Sequence, residues 1–351
     1  MNEKAAAAAF RLNGEPESIV RYGNGHINDT YLLTASSGTK YILQRVNSKV
    51  FKNPENVMKN IINVTAYLKE HLTGGMRTLT LVPCKSGESY LAADGEVWRV
   101  YDFIENAVSL ELPENENDFY QSAVAFGSFQ NMLKDYPAEK LYETIPNFHN
   151  TPDRYNNFLA AVREDSMGRV KTALAEIEFV NARRDFYGIL EESRKSGKLP
   201  LKVTHNDTKL NNVMLDANTR TPVCVIDLDT IMPGYAVNDF GDSIRFGAST
   251  APEDEKDLSK VHFDISLYKI YTAGFLKGCD GTLTDEERRL LPVGAKMMTV
   301  ECGMRFLTDY LSGDTYFKTA YPEHNLVRCR TQFKLVKEME NSWNEMQKAV
   351  E

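Results

Sequence analysis

Hydrophobic spacing changes once along the chain, and that change constrains the fold more than any other feature of the sequence. Over the first hundred residues short β-type runs alternate with turn signals: 18–22, the turn Gly23-Asn24-Gly25, 30–34 and 41–46. This is the pattern of an antiparallel sheet. One helix interrupts it, opened by Asn53-Pro54 and carried by Val57, Ile61, Val64 and Leu68 at three- to four-residue spacing. Strand signals return at 89–92 and 97–104, followed by a polar, proline-containing stretch over 105–117. Beyond it the apolar period becomes helical, over 119–133, 154–163, 171–193, 263–276, 285–311 and 326–348. The expectation is an α+β chain of two lobes: a β-rich lobe with one helix over 1–104, and a larger, mainly helical lobe over 105–351.

Length and charge exclude several classes of protein. At about 150 residues per domain, 351 residues allow roughly two units with substantial cores. No apolar run approaches the roughly 18 residues of a membrane span, so no membrane partner is expected. The 41 basic and 49 acidic residues give a net charge of −8. No stripe of Lys or Arg could neutralise a nucleic-acid backbone. Cys84, Cys224, Cys279, Cys302 and Cys329 form an odd set without a CxxC pair, which suggests neither a disulfide framework nor a thiolate zinc site. A reducing, cytoplasmic setting fits, and a monomer is expected. Residues 1–10 carry Lys4 and five alanines, too short an apolar stretch for a signal-peptide core, and read as the opening turns of a helix.

Inside the helical region lies a strand-rich insert, with strands expected at 201–204, 213–215 and 223–226. It contains His205-Asn206-Asp207-Thr208-Lys209-Leu210-Asn211-Asn212, an H-x-D-x(4)-N arrangement, and eleven residues after Asp216 comes Asp227. An antiparallel hairpin there brings Asn212 and Asp227 side by side at its open end. An amide oxygen and a carboxylate suit Mg²⁺, which keeps waters and takes further ligands from nucleotide phosphates. Asp207, just outside that pair, is positioned to accept a proton from a hydroxyl nucleophile. Those are the parts phosphoryl transfer requires.

Two other motifs were weighed. Asp239-Phe240-Gly241-Asp242 spells the metal-binding tripeptide of protein kinases, but no hairpin returns it to Asn212. It reads instead as a helix start in which Asp239 caps the helix and braces the catalytic loop from beneath. In the first lobe, the glycines of Gly23-Asn24-Gly25 permit positive φ and close approach of backbone N–H groups to phosphates. His26, next to that turn, either faces the cleft between the lobes or is a surface histidine.

Taken together, these residues resemble the aminoglycoside-phosphotransferase and choline-kinase branch of the protein-kinase-like fold, and within it the bacterial N-acetylhexosamine 1-kinases. The resemblance covers nearly the whole chain, through 23–28, 98–101, 204–212, 226–234, 239–250, 301–306 and 321–328. It implies ATP-dependent phosphorylation of the anomeric hydroxyl of N-acetylglucosamine or N-acetylgalactosamine. By the same resemblance Asp207 is the catalytic base, Asn212 and Asp227 are metal ligands, and Asp229 is a further acidic residue near the metal. His26, Arg305 and Tyr316 join Asp207 in the sugar pocket. The Gly23-Asn24-Gly25 turn lies over the phosphates, and adenine lies against the hinge segment Tyr101-Asp102-Phe103-Ile104.

The strand that carries a phosphate-binding lysine in protein kinases reads Tyr41-Ile42-Leu43-Gln44-Arg45, with Gln44 in the lysine's place. Alternation sends Gln44 and Arg45 to opposite faces, and the motif register favours Gln44 as the cofactor-facing residue. Loss of the lysine also admits a catalytically silent, nucleotide-binding scaffold. A kinase of an aminoglycoside, choline or another sugar is the nearer alternative.

Overall fold

The computed structural model describes residues 1–23 and 27–351. Five strands, β1 (Pro16–Arg21), β2 (Asp29–Ala35), β3 (Lys40–Arg45), β4 (Leu91–Ala93) and β5 (Glu96–Asp102), form one antiparallel sheet in the order β1-β2-β3-β5-β4. Alternation sorts their side chains onto two faces. Leu33, Tyr41, Leu43, Trp98 and Val100 pack outward with Phe10 and with Ala6 and Ala7 of helix α1 (Glu3–Ala7). That helix is shorter than expected, capped by Asn2 and ending at Ala7. Val97 and Tyr101 pack the other way, in the large core that also holds Val57, Met58, Ile61, Val64 and Leu68 of α2 (Pro54–His71). Gln44 and Arg99 share that inner face, and they are cross-strand partners.

After β6 (Ala107–Val108) come α3 (Glu116–Met132), α4 (Thr151–Glu164), α5 (Leu174–Asn181) and α6 (Ile189–Lys195). The strand insert follows as β7 (Lys202–Thr204), β8 (Val213–Asp216), β9 (Pro222–Val225) and β10 (Met232–Gly234). β8 and β9 form the expected antiparallel hairpin with β6 alongside β8, and β7 pairs with β10. The chain then finishes in α7 (Ala236–Gly247), α8 (Ile265–Cys279), α9 (Asp285–Leu311), α10 (His324–Asn341) and α11 (Trp343–Ala349).

The 27-residue α9 begins at a capping box between Thr284 and Glu287, and α4, α7 and α10 pack on it. Gly241 of α7 and Gly294 of α9 let these two helices touch through backbone, since a Cβ on Gly241 would overlap the Gly294 carbonyl. That contact fixes the height of α7 beneath the insert.

Two expected helices are broken. The stretch 171–193 divides into α5 and α6 around a turn in which Tyr187 stays buried, and 326–348 divides at Ser342 with Met346 buried beyond it. Apolar spacing continues through both interruptions, so periodicity does not register them. No helix among the described residues is long and apolar enough to cross a membrane.

Candidate active site

The loop after β7 is held from below by α7. Asp239 accepts hydrogen bonds from the His205 and Asn206 N–H groups at 2.9 and 2.8 Å and from Gln130 Nε2 at 2.9 Å. Asp242 accepts from the Thr208 N–H at 3.0 Å. Asp239 therefore braces the loop, but it does not cap the helix, because α7 begins at Ala236 with Tyr235 at the N-cap position. The kinase-like tripeptide is thus used for packing: Phe240 is buried and Gly241 meets α9. His205 ties the loop to the end of the hairpin. Its Nδ1 accepts the Asp207 N–H at 3.3 Å, which leaves Nε2 protonated and donating to the Ile226 carbonyl at 2.8 Å.

The hairpin delivers what its spacing predicts. Val213 pairs with Val225, and the Ile226 N–H donates to the Asn212 carbonyl at 2.9 Å, so Asn212 and Asp227 emerge at one end. Asn212 Nδ2 donates to the Asp207 carbonyl at 2.8 Å and to Asp207 Oδ2 at 3.1 Å. The Asn212 Oδ1 is then the atom left for a cation. Lys209 Nζ lies 2.8 Å from Asp207 Oδ1, so both carboxylate oxygens of Asp207 are oriented.

Asp227 is exposed to water at the open end of the hairpin, with Asp229 and Asp207 nearby. Loss of solvation, followed by the nearby Asp229 and Asp207, raises its carboxyl to about 7, with Arg99 and Lys209 opposing. Hard oxygen donors in a place where carboxylates crowd one another fit Mg²⁺, with Asn212 and Asp227 as protein ligands and other positions left to phosphate and water. No group of three His, Cys, Asp or Glu among the described residues is arranged to hold an ion by itself.

On the sheet side, Gln44 does not stand alone in the lysine's place. Its Oε1 accepts from Arg99 Nε and Nη2 at 2.9 and 2.7 Å, and its Nε2 donates to Thr30 at 3.0 Å. Arg99, on the neighbouring strand, reaches Asp229 at 2.5 Å, with both side chains almost wholly buried. The other Asp229 oxygen accepts from Asn28 Nδ2 at 2.5 Å. Asp229 is therefore held through one oxygen by the Arg99 ion pair and through the other by Asn28. Arg45 points away, pairing with Asp29 and Glu96 over the Trp98 ring.

Arg99 escaped the sequence reading because a strand arginine ordinarily faces solvent. Its cross-strand position opposite Gln44 was the available signal. Gly23 adopts a left-handed φ of 71°, whereas Asn24, Gly25 and His26 lie outside the described residues. In the hinge segment, the Tyr101 ring is buried under Arg99, and the Asp102 and Phe103 N–H groups donate to Thr80 and Lys40 carbonyls. Phe103 meets Tyr22 edge-on, and Ile104 is half-buried.

On the other side of Asp207, α9 supplies Glu301 and, one turn later, Arg305. The Arg305 guanidinium lies 5.4, 5.7 and 5.5 Å from the rings of Phe148, Tyr316 and Phe317. The loop that brings Tyr316 there is gathered by Asp309, whose carboxylate accepts the N–H groups of Thr315, Tyr316 and Phe317 at 2.8–3.0 Å. Tyr316 is 65% exposed. Glu301 holds His149 and Thr151, two residues that motif reading passed over because they lie in an irregular stretch leading into α4.

An antiparallel sheet with one long helix, joined to a larger helical lobe with its polar cluster between them, is the α+β architecture of the protein-kinase-like phosphotransferases. The chain matches the phosphotransferase enzyme family over residues 18–263, and it belongs to that family. Solved structures share its fold across nearly full length. A microcompartment-associated aminopropanol kinase is 14% identical with a TM-score of 0.67, covering 98% of this chain and 97% of that one. An aminoglycoside phosphotransferase from Alicyclobacillus acidocaldarius is 13% identical with a TM-score of 0.65 over 100% and 96%. An amicoumacin kinase, in complex with AMP-PNP, Ca²⁺ and Ami, is 16% identical with a TM-score of 0.60 over 97% and 92%. At these identities the likeness is one of fold.

Proposed function

We propose that this phosphotransferase uses ATP and Mg²⁺ to phosphorylate the anomeric hydroxyl of an N-acetylhexosamine, giving the sugar 1-phosphate. Asp207 is the general base: it must lie within about 2.6–3.2 Å of the attacking hydroxyl, and Lys209 and Asn212 orient its two oxygens. Asn212 Oδ1 and Asp227 hold the ion. When bound, Mg²⁺ neutralises charge on the transferring phosphates. We assign Asp229 a bracing role rather than a ligand's, because Arg99 and Asn28 engage it. The retention of Asp207, Asn212 and Asp227 around one cleft supports an active enzyme over a silent scaffold. We infer a lobe boundary near Ile104 and adenine lying against 101–104.

The observation that favours a neutral sugar is the charge of the acceptor side. Its aromatic rings already surround a guanidinium, Arg305. Its carboxylates also have partners: Asp207 an ion pair with Lys209, Asp242 and Glu253 one shared with Arg245, and Glu301 hydrogen bonds with His149 and Thr151. A cationic amine acceptor needs an anionic or aromatic cage, and none of these groups is free to form one. Arg305, which makes no hydrogen bond to protein among the described residues, supplies paired donors to sugar oxygens, with Tyr316 beside it. Five free thiols, four of them buried, suit the reducing cytoplasm. ADP release across N-acetylhexosamines, other sugars, choline and amino alcohols tests the assignment. Turnover confined to the amines would overturn it.

A further inference from the structure

Glu301 is buried at the centre of the acceptor side, and both of its oxygens accept hydrogen bonds. Oε1 lies 3.0 Å from His149 Nδ1 and Oε2 lies 2.5 Å from Thr151 Oγ1. Burial by itself raises this carboxyl, but His149 and Thr151 outweigh it and hold Glu301 below the usual range. An ionised carboxylate only accepts, so the proton of a neutral His149 sits on Nδ1 and the lone pair on Nε2. The His149 side chain is 9% exposed. Its Nε2 is buried and has no protein partner among the described residues. Buried polar atoms are normally satisfied, so an unmatched one needs an explanation.

The surroundings join this imidazole to the Arg305 cluster. The Phe148 ring lies tilted against the imidazole with centroids 4.4 Å apart, and 5.4 Å from the Arg305 guanidinium. Arg154 holds the Phe148 carbonyl at 2.9 Å, and Asn150 caps α4 immediately afterwards, so the segment that carries His149 is fixed on both sides. Burial raises the carboxyl of Asp242, while Arg245 and Lys209 hold it low. The same Asp242 accepts the N–H of Thr208, the residue after Asp207. His149 thus packs against the ring that covers Arg305.

The geometry points to His149 as a specificity residue of the acceptor site, its Nε2 accepting a hydrogen bond from a sugar hydroxyl other than the one phosphorylated. Glu301 is the positioning residue that fixes the tautomer. The assignment rests on the sugar-kinase reading above and adds a contact to it. Glu301→Gln offers an amide that can donate to Nδ1, which favours the opposite tautomer and turns Nε2 from acceptor to donor.

The test is a cycle between protein and substrate. Wild type, His149→Ala, His149→Gln and Glu301→Gln are assayed by ADP release with N-acetylglucosamine and its 3-, 4- and 6-deoxy analogues, and Mg·ATP affinity is measured by calorimetry. For His149→Ala we expect kcat/KM for the parent sugar to fall about ten- to hundredfold, with Mg·ATP affinity unchanged. One deoxy analogue should be impaired in wild type by a similar factor, yet lose little more in His149→Ala. Glu301→Gln should show the same analogue selectivity in weaker form, which a merely structural role would not produce. If His149→Ala does not fold, the same selectivity is read from His149→Gln. An equal loss for every analogue in all variants overturns the contact while leaving the sugar-kinase reading intact. A wild-type chain inactive toward every N-acetylhexosamine overturns that reading, and this contact with it.

Discussion

The two sides of the Asp207 loop are built in opposite ways. Toward the sheet, Gln44 holds Arg99, Asn28 holds Asp229, and the ion pair between Arg99 and Asp229 is sealed from water. Toward α9, Arg305 is held by ring faces, and His149 keeps one nitrogen without a protein partner. The contrast shows what each ligand demands. A metal-bound triphosphate brings its own strong charges, so the protein need only hold fixed charges in register. A neutral sugar offers hydroxyls and an amide, so donors and acceptors must remain open for it.

Six substitutions break or sharpen this contrast. Asp207→Asn, where the two sides meet, should lower kcat by about 10²- to 10⁴-fold while calorimetry finds Mg·ATP bound as in wild type. Near-normal turnover would remove Asp207 from the mechanism. On the closed side, Arg99→Met leaves Asp229 buried and unpaired, which should cost about 3–5 kcal/mol of stability, visible as a large drop in Tm. Adding Asp229→Asn should restore part of it, and an unchanged Tm in the single variant would show that the pair carries no such strain.

On the open side the pattern should invert. Arg305→Ala is expected to raise the acceptor KM about ten- to hundredfold with a stability change of about 1 kcal/mol or less. A loss of folding instead of affinity would place Arg305 with the closed network. The smallest effect belongs to the outer face of β3. Arg45→Ala removes partly exposed ion pairs worth about 1 kcal/mol or less and should leave the ATP KM alone, whereas Gln44→Ala releases Arg99 and should raise it. The reverse ranking would mean that the strand presents its other face to the nucleotide.

How much of this was legible in the sequence depended on how local the cause was. The β8–β9 hairpin and its placement of Asn212 beside Asp227 followed from strand spacing, because a two-strand register is a short-range property. The brace from Asp239 was legible too, although the helix begins four residues earlier than a capping role requires. The breaks within 171–193 and 326–348 were hidden, since buried Tyr187 and Met346 continue the apolar pattern across them. Arg99 and His149 were hidden for another reason. Each acquires its role from a carboxylate more than a hundred residues away, Asp229 and Glu301, and nothing in their immediate neighbours announces it.

The central claim is that Asp207 activates the anomeric hydroxyl, and the product's phosphorus position tests it most directly. Purified protein is incubated with ATP, Mg²⁺ and either N-acetylglucosamine or its 1-O-methyl glycoside, and the phosphorylated carbon is identified by ³¹P–¹H NMR. The account predicts the sugar 1-phosphate from the free sugar and no phosphorylated product from the glycoside at any concentration. A 6-phosphate from either compound would contradict the assigned orientation of the sugar over Asp207.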